Sequence, residues 1–179
     1  MQSGWRPPFN LLDSGMLDVS LALYHEPRDA QAIVTLLDTY ASEQAGGGQP
    51  LADDVKARLV AEMAARPHVF TVLAWAGEGD LRQAAGLVNC VEGFSTFAAR
   101  PLINIHDVVV VASYRRKGVA QAMFEAVELE ARRRGACKLT LEVLSGNAPA
   151  RRLYLKQGFE PYMLDPAWGE AMMWQKEIS

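Results

Sequence analysis

The stretch Ile105-His106-Asp107-Val108-Val109-Val110-Val111-Ala112-Ser113-Tyr114-Arg115-Arg116-Lys117-Gly118-Val119-Ala120 decides how this chain is read. Its first half ends in consecutive valines, which are branched at Cβ and suited to a buried, pleated strand. A tight link follows, and then Arg115, Arg116 and Lys117 lead into Gly118. From Gly118 to Arg134 the pattern becomes helical: Val119, Met123, Val127 and Ala131 fall four apart, with Phe124 beside them. Arginines in the last turn and Gly135 after it are C-terminal signals. A helix start presents unpaired N–H groups and the positive end of the peptide dipoles, so it suits an anion. Gly118 removes a Cβ where backbone must approach a ligand, small Ala120 keeps the next turn accessible, and three cations surround the mouth. The group such a mouth suits is a pyrophosphate. It lacks the lysine–hydroxyl pair of a Walker loop and the three glycines of a dinucleotide-binding turn, which demotes ATP and NAD.

Outward from this segment the chain reads as alternating strands and helices. Upstream, Val19–Leu23 predicts a first strand, and Asp29 an N-cap for a helix whose apolar stripe is Ala32, Ile33, Leu36, Leu37 and Tyr40. Gly46-Gly47-Gly48-Gln49-Pro50 breaks that helix, and Asp53–Ala65 predicts a second, stopped at Arg66-Pro67. Strands are predicted over His68–Ala76, Ala85–Val91 and Leu102–Val111. Downstream, Lys138–Leu144 alternates as a strand, Pro149–Gln157 predicts a short helix, and Phe159–Leu164 and Met172–Glu177 read as closing strands. The result is a single α/β or α+β domain over 18–179. Residues 1–17 carry no hydrophobic periodicity and read as a leader outside the fold, with Met16 an alternative start.

Composition supports a packed core and narrows the function. Of 179 residues half are hydrophobic and 22% are charged, and the net charge is −3, which argues against disorder and against a general binder of nucleic acid or anionic membrane. No apolar run approaches the roughly 20 residues that cross a bilayer, and no signal-peptide profile is present. The two cysteines, Cys90 and Cys137, read as free thiols in a reducing cytoplasm. Three scattered histidines without ligand spacing predict no metal site.

Three motifs together carry a family resemblance. Arg115-x-x-Gly118-x-Ala120, the later Asn147-x-x-Ala150-x-x-x-Tyr154 and the terminal Gly158-Phe159 resemble the GNAT superfamily of acyl-CoA-dependent N-acetyltransferases. The clear likeness covers about residues 102–160, and joint occurrence is far more specific than any one piece. One departure is Ala120 where a second glycine is commoner.

The resemblance implies a mixed central sheet of about six to seven strands flanked by about four helices and splayed at the acyl-CoA site. It implies acetyl-CoA as co-substrate and no metal. The backbone of Val108, Val109 and Val110 would bind the pantetheine arm. The loop and helix start formed by Arg115, Arg116, Lys117, Gly118, Val119 and Ala120 would take the pyrophosphate. Asn147 would bind the arm or cap the short helix, and Tyr154 would stand near the sulfur as general acid. A homodimer is implied by family habit.

The chemistry needs an amine that loses a proton and a thiolate that gains one. A phenol is protonated at neutral pH and can donate; the alternative for Tyr154 is a core tyrosine with a satisfied hydroxyl. Three assignments stand for the base: Glu142, directly or through water; His106, at a position where polyamine-acetylating relatives carry a glutamate; or an unassisted reaction or another base. Simple alternation places Asp107 opposite His106 and reads it as a structural carboxylate. Phe94-Ser95-Thr96-Phe97 resembles the corresponding stretch of diamine and polyamine acetyltransferases. Phe94 and Phe97 wall an alkyl chain or pack on the core, and Glu43 and Glu92 are candidates to attract an ammonium. The expected acceptor is the primary amine of a small molecule. The alternatives are a peptide or protein amine, or a non-catalytic acyl-CoA-binding protein.

Overall fold

The structure, a computed structural model, describes residues 16–163, 165, 167 and 172–178. The chain divides after Glu142 into two compact units. In the first, β1 (Leu17–Leu21), β2 (Val69–Ala76), β3 (Gln83–Ser95), β4 (Arg100–Val110) and β5 (Leu139–Leu141) form one sheet in sequential order. Neighbours are antiparallel except β4 and β5, which are parallel. A parallel neighbour requires a crossover, and α3 (Val119–Arg133) supplies it. The remaining helices of this unit are α1 (Pro27–Ser42) and α2 (Asp53–Ala64).

The sheet is buried on both sides. On one face Ala32, Ile33, Leu36 and Leu37 of α1 and Met63 of α2 pack with Leu73, Trp75, Leu87 and Val109. On the other lies α3, whose apolar stripe of Val119, Met123, Phe124 and Val127 is fully buried. Gly86 shows how close that helix comes: a Cβ there would stand 3.0 Å from Met123 Cε and 2.5 Å from the Val109 carbonyl oxygen.

The C-terminal end of α3 is tied to the sheet by charge. Glu130, 5% exposed, accepts hydrogen bonds from Arg133 (2.7 Å) and Arg134 (2.6 Å). Arg134 also reaches Glu92 at 2.9 Å and lies 4.5 Å over the Phe70 ring. Burial pushes the Glu130 carboxyl up, but the two guanidiniums outweigh it and hold it below its ordinary value of 4.5. A carboxylate depressed on folding contributes stability above that value and loses it as pH falls through its folded pKa. Glu130→Gln is therefore expected to cost about 1.5–3 kcal/mol at pH 7. The gap in Tm to the parent should close as the pH is lowered from 5 to 3, measured by thermal melts.

Several sequence expectations need correction. Residues 1–15 of the expected leader lie outside the described residues, but the fold begins before 18: Leu17 is buried in β1 and the Met16 carbonyl accepts from Gly77 N at 3.0 Å. Asp29 does not cap α1; Glu26 precedes that helix, and Asp29 Oδ2 instead accepts from Leu23 N at 2.8 Å. The strand expected over 138–144 shortens to Leu139–Leu141. Neither closing strand is present among the described residues, since 159–163 and 172–178 are not in strands; Leu164 lies outside them. Among the described residues the sheet thus has five strands, not six or seven.

The largest departure from simple alternation is a bulge in β4. Cys90 pairs with Ile105, but the next residue of β3, Asn89, pairs with Asp107, leaving His106 as the extra residue. An inserted residue reverses which face each later side chain occupies. Ile103 and Ile105 lie on the α3 face, whereas Asp107 and Val109 lie on the face of α1 and α2.

The second unit, from Val143, contains α4 (Ala148–Lys156). Asn147 caps it through Oδ1, which accepts from Ala150 N at 3.2 Å, the role its side chain suits best. Tyr154 sets its ring edge on Phe159 with centroids 6.1 Å apart. Among the described residues no helix is long and apolar enough to cross a membrane.

Candidate cofactor and acceptor site

The link from β4 to α3 is built around two left-handed residues, Arg116 (φ 63°) and Gly118 (φ 80°). Glycine adopts this conformation without penalty, whereas an L side chain there costs about 1–2 kcal/mol. The first bond of α3 runs from Ala122 N to the Gly118 carbonyl, so the amides of Val119, Ala120 and Gln121 have no intrahelical acceptor. No side chain caps them. A Cβ on Gly118 would meet nothing within 4 Å. Donors, dipole and open space therefore converge at this helix start, as an anion requires.

Of the three cations there, only part of the charge faces a ligand. Arg115 donates from Nε to the Val110 carbonyl at 2.9 Å and pairs through Nη2 with Glu43 at 2.6 Å, so its side chain braces the loop. Lys117 Nζ lies 5.8 Å from the Tyr114 ring centroid. Arg116 is exposed and has no ion-pair partner among the described residues.

The strand leading into this loop offers a free edge. Pairing between β4 and β5 is confined to Ile103–Ile105 and Leu139–Leu141. From the bulge onward β4 keeps β3 on one side and has no strand on the other among the described residues. Past the bulge the backbone groups of β4 that point away from β3, other than the Val110 carbonyl already taken by Arg115, are thus open to an extended, amide-bearing chain that adds along the edge.

On the α1 face of the same strand stands a group of polar side chains. Asn104 Nδ2 donates to Thr140 Oγ1 at 3.2 Å and to both carboxylate oxygens of Glu142 at 3.3 Å. Asp107 accepts from Asn89 Nδ2 at 3.0 Å. Tyr40, near the C-terminal end of α1, has its hydroxyl pushed up by burial, then by the negative charges of Asp107 and Glu43. Burial also pushes the Cys90 thiol up, so it is an inert core group and not a nucleophile.

A scan against family models matches residues 33–159 to the acetyltransferase (GNAT) family. The chain belongs to that family. It is 34% identical over 97 residues to the streptothricin acetyltransferase of Streptomyces lavendulae, covering 54% of this chain and 48% of that one. The chain thus spans about half the length of the curated relative it matches. A solved structure described as a probable acetyltransferase superposes with a TM-score of 0.73 at 19% identity, covering 90% of this chain and 97% of that one. An aminoglycoside N-acetyltransferase in complex with CoA superposes with a TM-score of 0.70 at 16% identity, covering 92% and 97%.

Within this GNAT chain the sequence-predicted residues separate into those that face open space and those already engaged. Gly118, Val119 and Ala120 form the uncapped helix start, and the valines form the open edge. His106 is exposed at the bulge, and exposed Glu142 lies just past β5, held by Asn104. Glu92 is occupied by Arg134, and Glu43 by Arg115. Phe94 and Phe97 project from the β3–β4 hairpin and are exposed, so they do not pack on the core. Among the described residues no three histidine, cysteine or acidic side chains gather as metal ligands. Sequence reasoning passed over Asn89 and Asn104, took Tyr40 only as part of an apolar stripe, and did not foresee the bulge that sets the face of Asp107. The available signal was polarity: Asn89, Asn104 and Asp107 interrupt otherwise apolar strands.

Proposed function

We propose that this chain transfers the acetyl group of acetyl-CoA to a primary amine of a small molecule. The observation that carries the reading is the uncapped, glycine-led start of α3 directly following the unpaired edge of β4. The first suits a pyrophosphate, and the second suits the amides of a pantetheine arm. With both substrates held together, the amine nitrogen bonds to the thioester carbonyl carbon and the carbon–sulfur bond breaks. The proton lost by the amine passes to a base, Glu142 or His106, and Tyr154 donates one to the departing thiolate. The likeness to a streptothricin acetyltransferase supports a basic small molecule as acceptor, and the exposed Phe94 and Phe97 suit the alkyl part of a diamine or polyamine. Free Cys90 and Cys137 suit the reducing cytoplasm.

The test is thiol release from acetyl-CoA in the presence of streptothricin, spermidine or 1,4-diaminobutane, alongside calorimetric binding of acetyl-CoA. Release with at least one amine is expected. Gly118→Val, which places a branched side chain in the open space above a left-handed residue, is expected to weaken acetyl-CoA binding about 10–100-fold. Binding without release would replace the enzyme by an acyl-CoA-binding module, and absence of binding would overturn both.

A further inference from the structure

Four side chains from four different segments are joined in a line across the sheet face beneath α1. Tyr24 Oη lies 3.1 Å from Thr71 Oγ1, Thr71 Oγ1 lies 2.6 Å from Asn89 Oδ1, and Asn89 Nδ2 lies 3.0 Å from Asp107 Oδ2. Thr71 is 1% exposed and Asn89 5%, so water does not compete for these bonds. The proton direction follows from the chemistry. Asn89 turns its amide nitrogen, which only donates, to Asp107 and its oxygen to Thr71. That oxygen cannot donate, so the single hydroxyl proton of Thr71 points to it. Thr71 is then left with lone pairs only towards Tyr24, and the phenol must donate. Every bond runs one way and ends on the Asp107 carboxylate.

The charge around that terminus is unbalanced. Asp107 has no cationic partner among the described residues, and Glu43, the nearby carboxylate, is already matched by Arg115. The last turn of α1 carries no basic residue, and a helix C-terminus favours a cation. The bulge at His106 turns Asp107 to this face beside the open edge of β4. We infer that Tyr24, Thr71 and Asn89 are positioning residues, a one-way donor chain that holds the Asp107 carboxylate oriented to receive the ammonium of the acceptor. This rests on the acyl-transfer reading and adds to it the carboxylate that selects a cationic substrate.

The experiment measures binding of streptothricin, and of spermidine as a second basic probe, to the CoA-loaded protein by calorimetry, together with kcat and both KM values. Asp107→Asn is expected to weaken amine binding about 30-fold or more, Asn89→Leu about 10-fold, and Thr71→Val and Tyr24→Phe about 2–5-fold, with CoA affinity unchanged. The double variant Asp107→Asn/Asn89→Leu should bind no worse than Asp107→Asn alone, because the chain acts through that carboxylate. Tyr24→Phe keeps the ring and removes only the first donor, so it reports even where Asn89→Leu fails to fold. Variants that melt earlier yet bind amines like the parent would overturn the inference, as would an additive double variant. So would a parent that binds neither probe. Amine binding without thiol release would overturn the catalytic reading while leaving the chain of donors in place.

Discussion

Tyr154→Phe is expected to lower kcat about 100-fold while acetyl-CoA binding changes less than about 3-fold. The Tyr154 ring rests edge-on against Phe159, and Asn147 caps the helix two turns earlier. Phenylalanine preserves both features and removes the hydroxyl. A donor to the leaving thiolate matters only as the carbon–sulfur bond breaks, and its removal therefore appears in kcat and not in ground-state affinity. Steady-state thiol release with calorimetric binding of acetyl-CoA separates the two quantities. Unchanged kcat would remove Tyr154 from the mechanism and make it a packing residue.

The second large effect is expected at Gly86→Ala. Gly86 pairs with Val110 across β3 and β4, and a Cβ would fall 2.5 Å from the Val109 carbonyl oxygen, which is backbone and cannot turn aside. Strand separation or a shift of α3 must follow, at a cost of about 3 kcal/mol. For a chain of this size that lowers Tm by roughly 6–12 °C. The displaced segment is the one whose outer edge is open, so the KM for acetyl-CoA should rise as well. Gly93→Ala is the internal comparison: its Cβ would meet only the movable Leu102 side chain at 3.4 Å. It should melt within about 2 °C of the parent.

How much was legible beforehand depended on the range of the signal. The apolar stripe of α3, its C-terminal arginines and Gly135 are periodic and local, and they located the helix to within a residue. Gly118 as the start of an apolar-periodic run was equally legible, because the helical period begins at the next residue; its left-handed conformation was not. The closing strands expected over Phe159–Leu164 and Met172–Glu177 do not form among the described residues for the opposite reason: their composition is strand-like, but β-propensity is realised only by a partner on the sheet. Glu43 and Glu92 were plausible ammonium attractors for any reader of the sequence. Their cations, Arg115 and Arg134, lie 72 and 42 residues away along the chain, and no spacing rule connects such distances.

The sequence by itself determined the order of elements as far as α4 and the glycine-led, cation-flanked helix start, because helical period and local charge are encoded within a few residues of where they act. Only the tertiary structure decided which side chains share the sheet face beneath α1. Alternation along β4 put Asp107 with Ile105, under α3. The extra residue at His106 reverses that alternation and delivers Asp107 to Asn89, Thr71 and Tyr24 on the other side of the sheet. A bulge is a mismatch between two strands, so it belongs to neither strand's sequence alone.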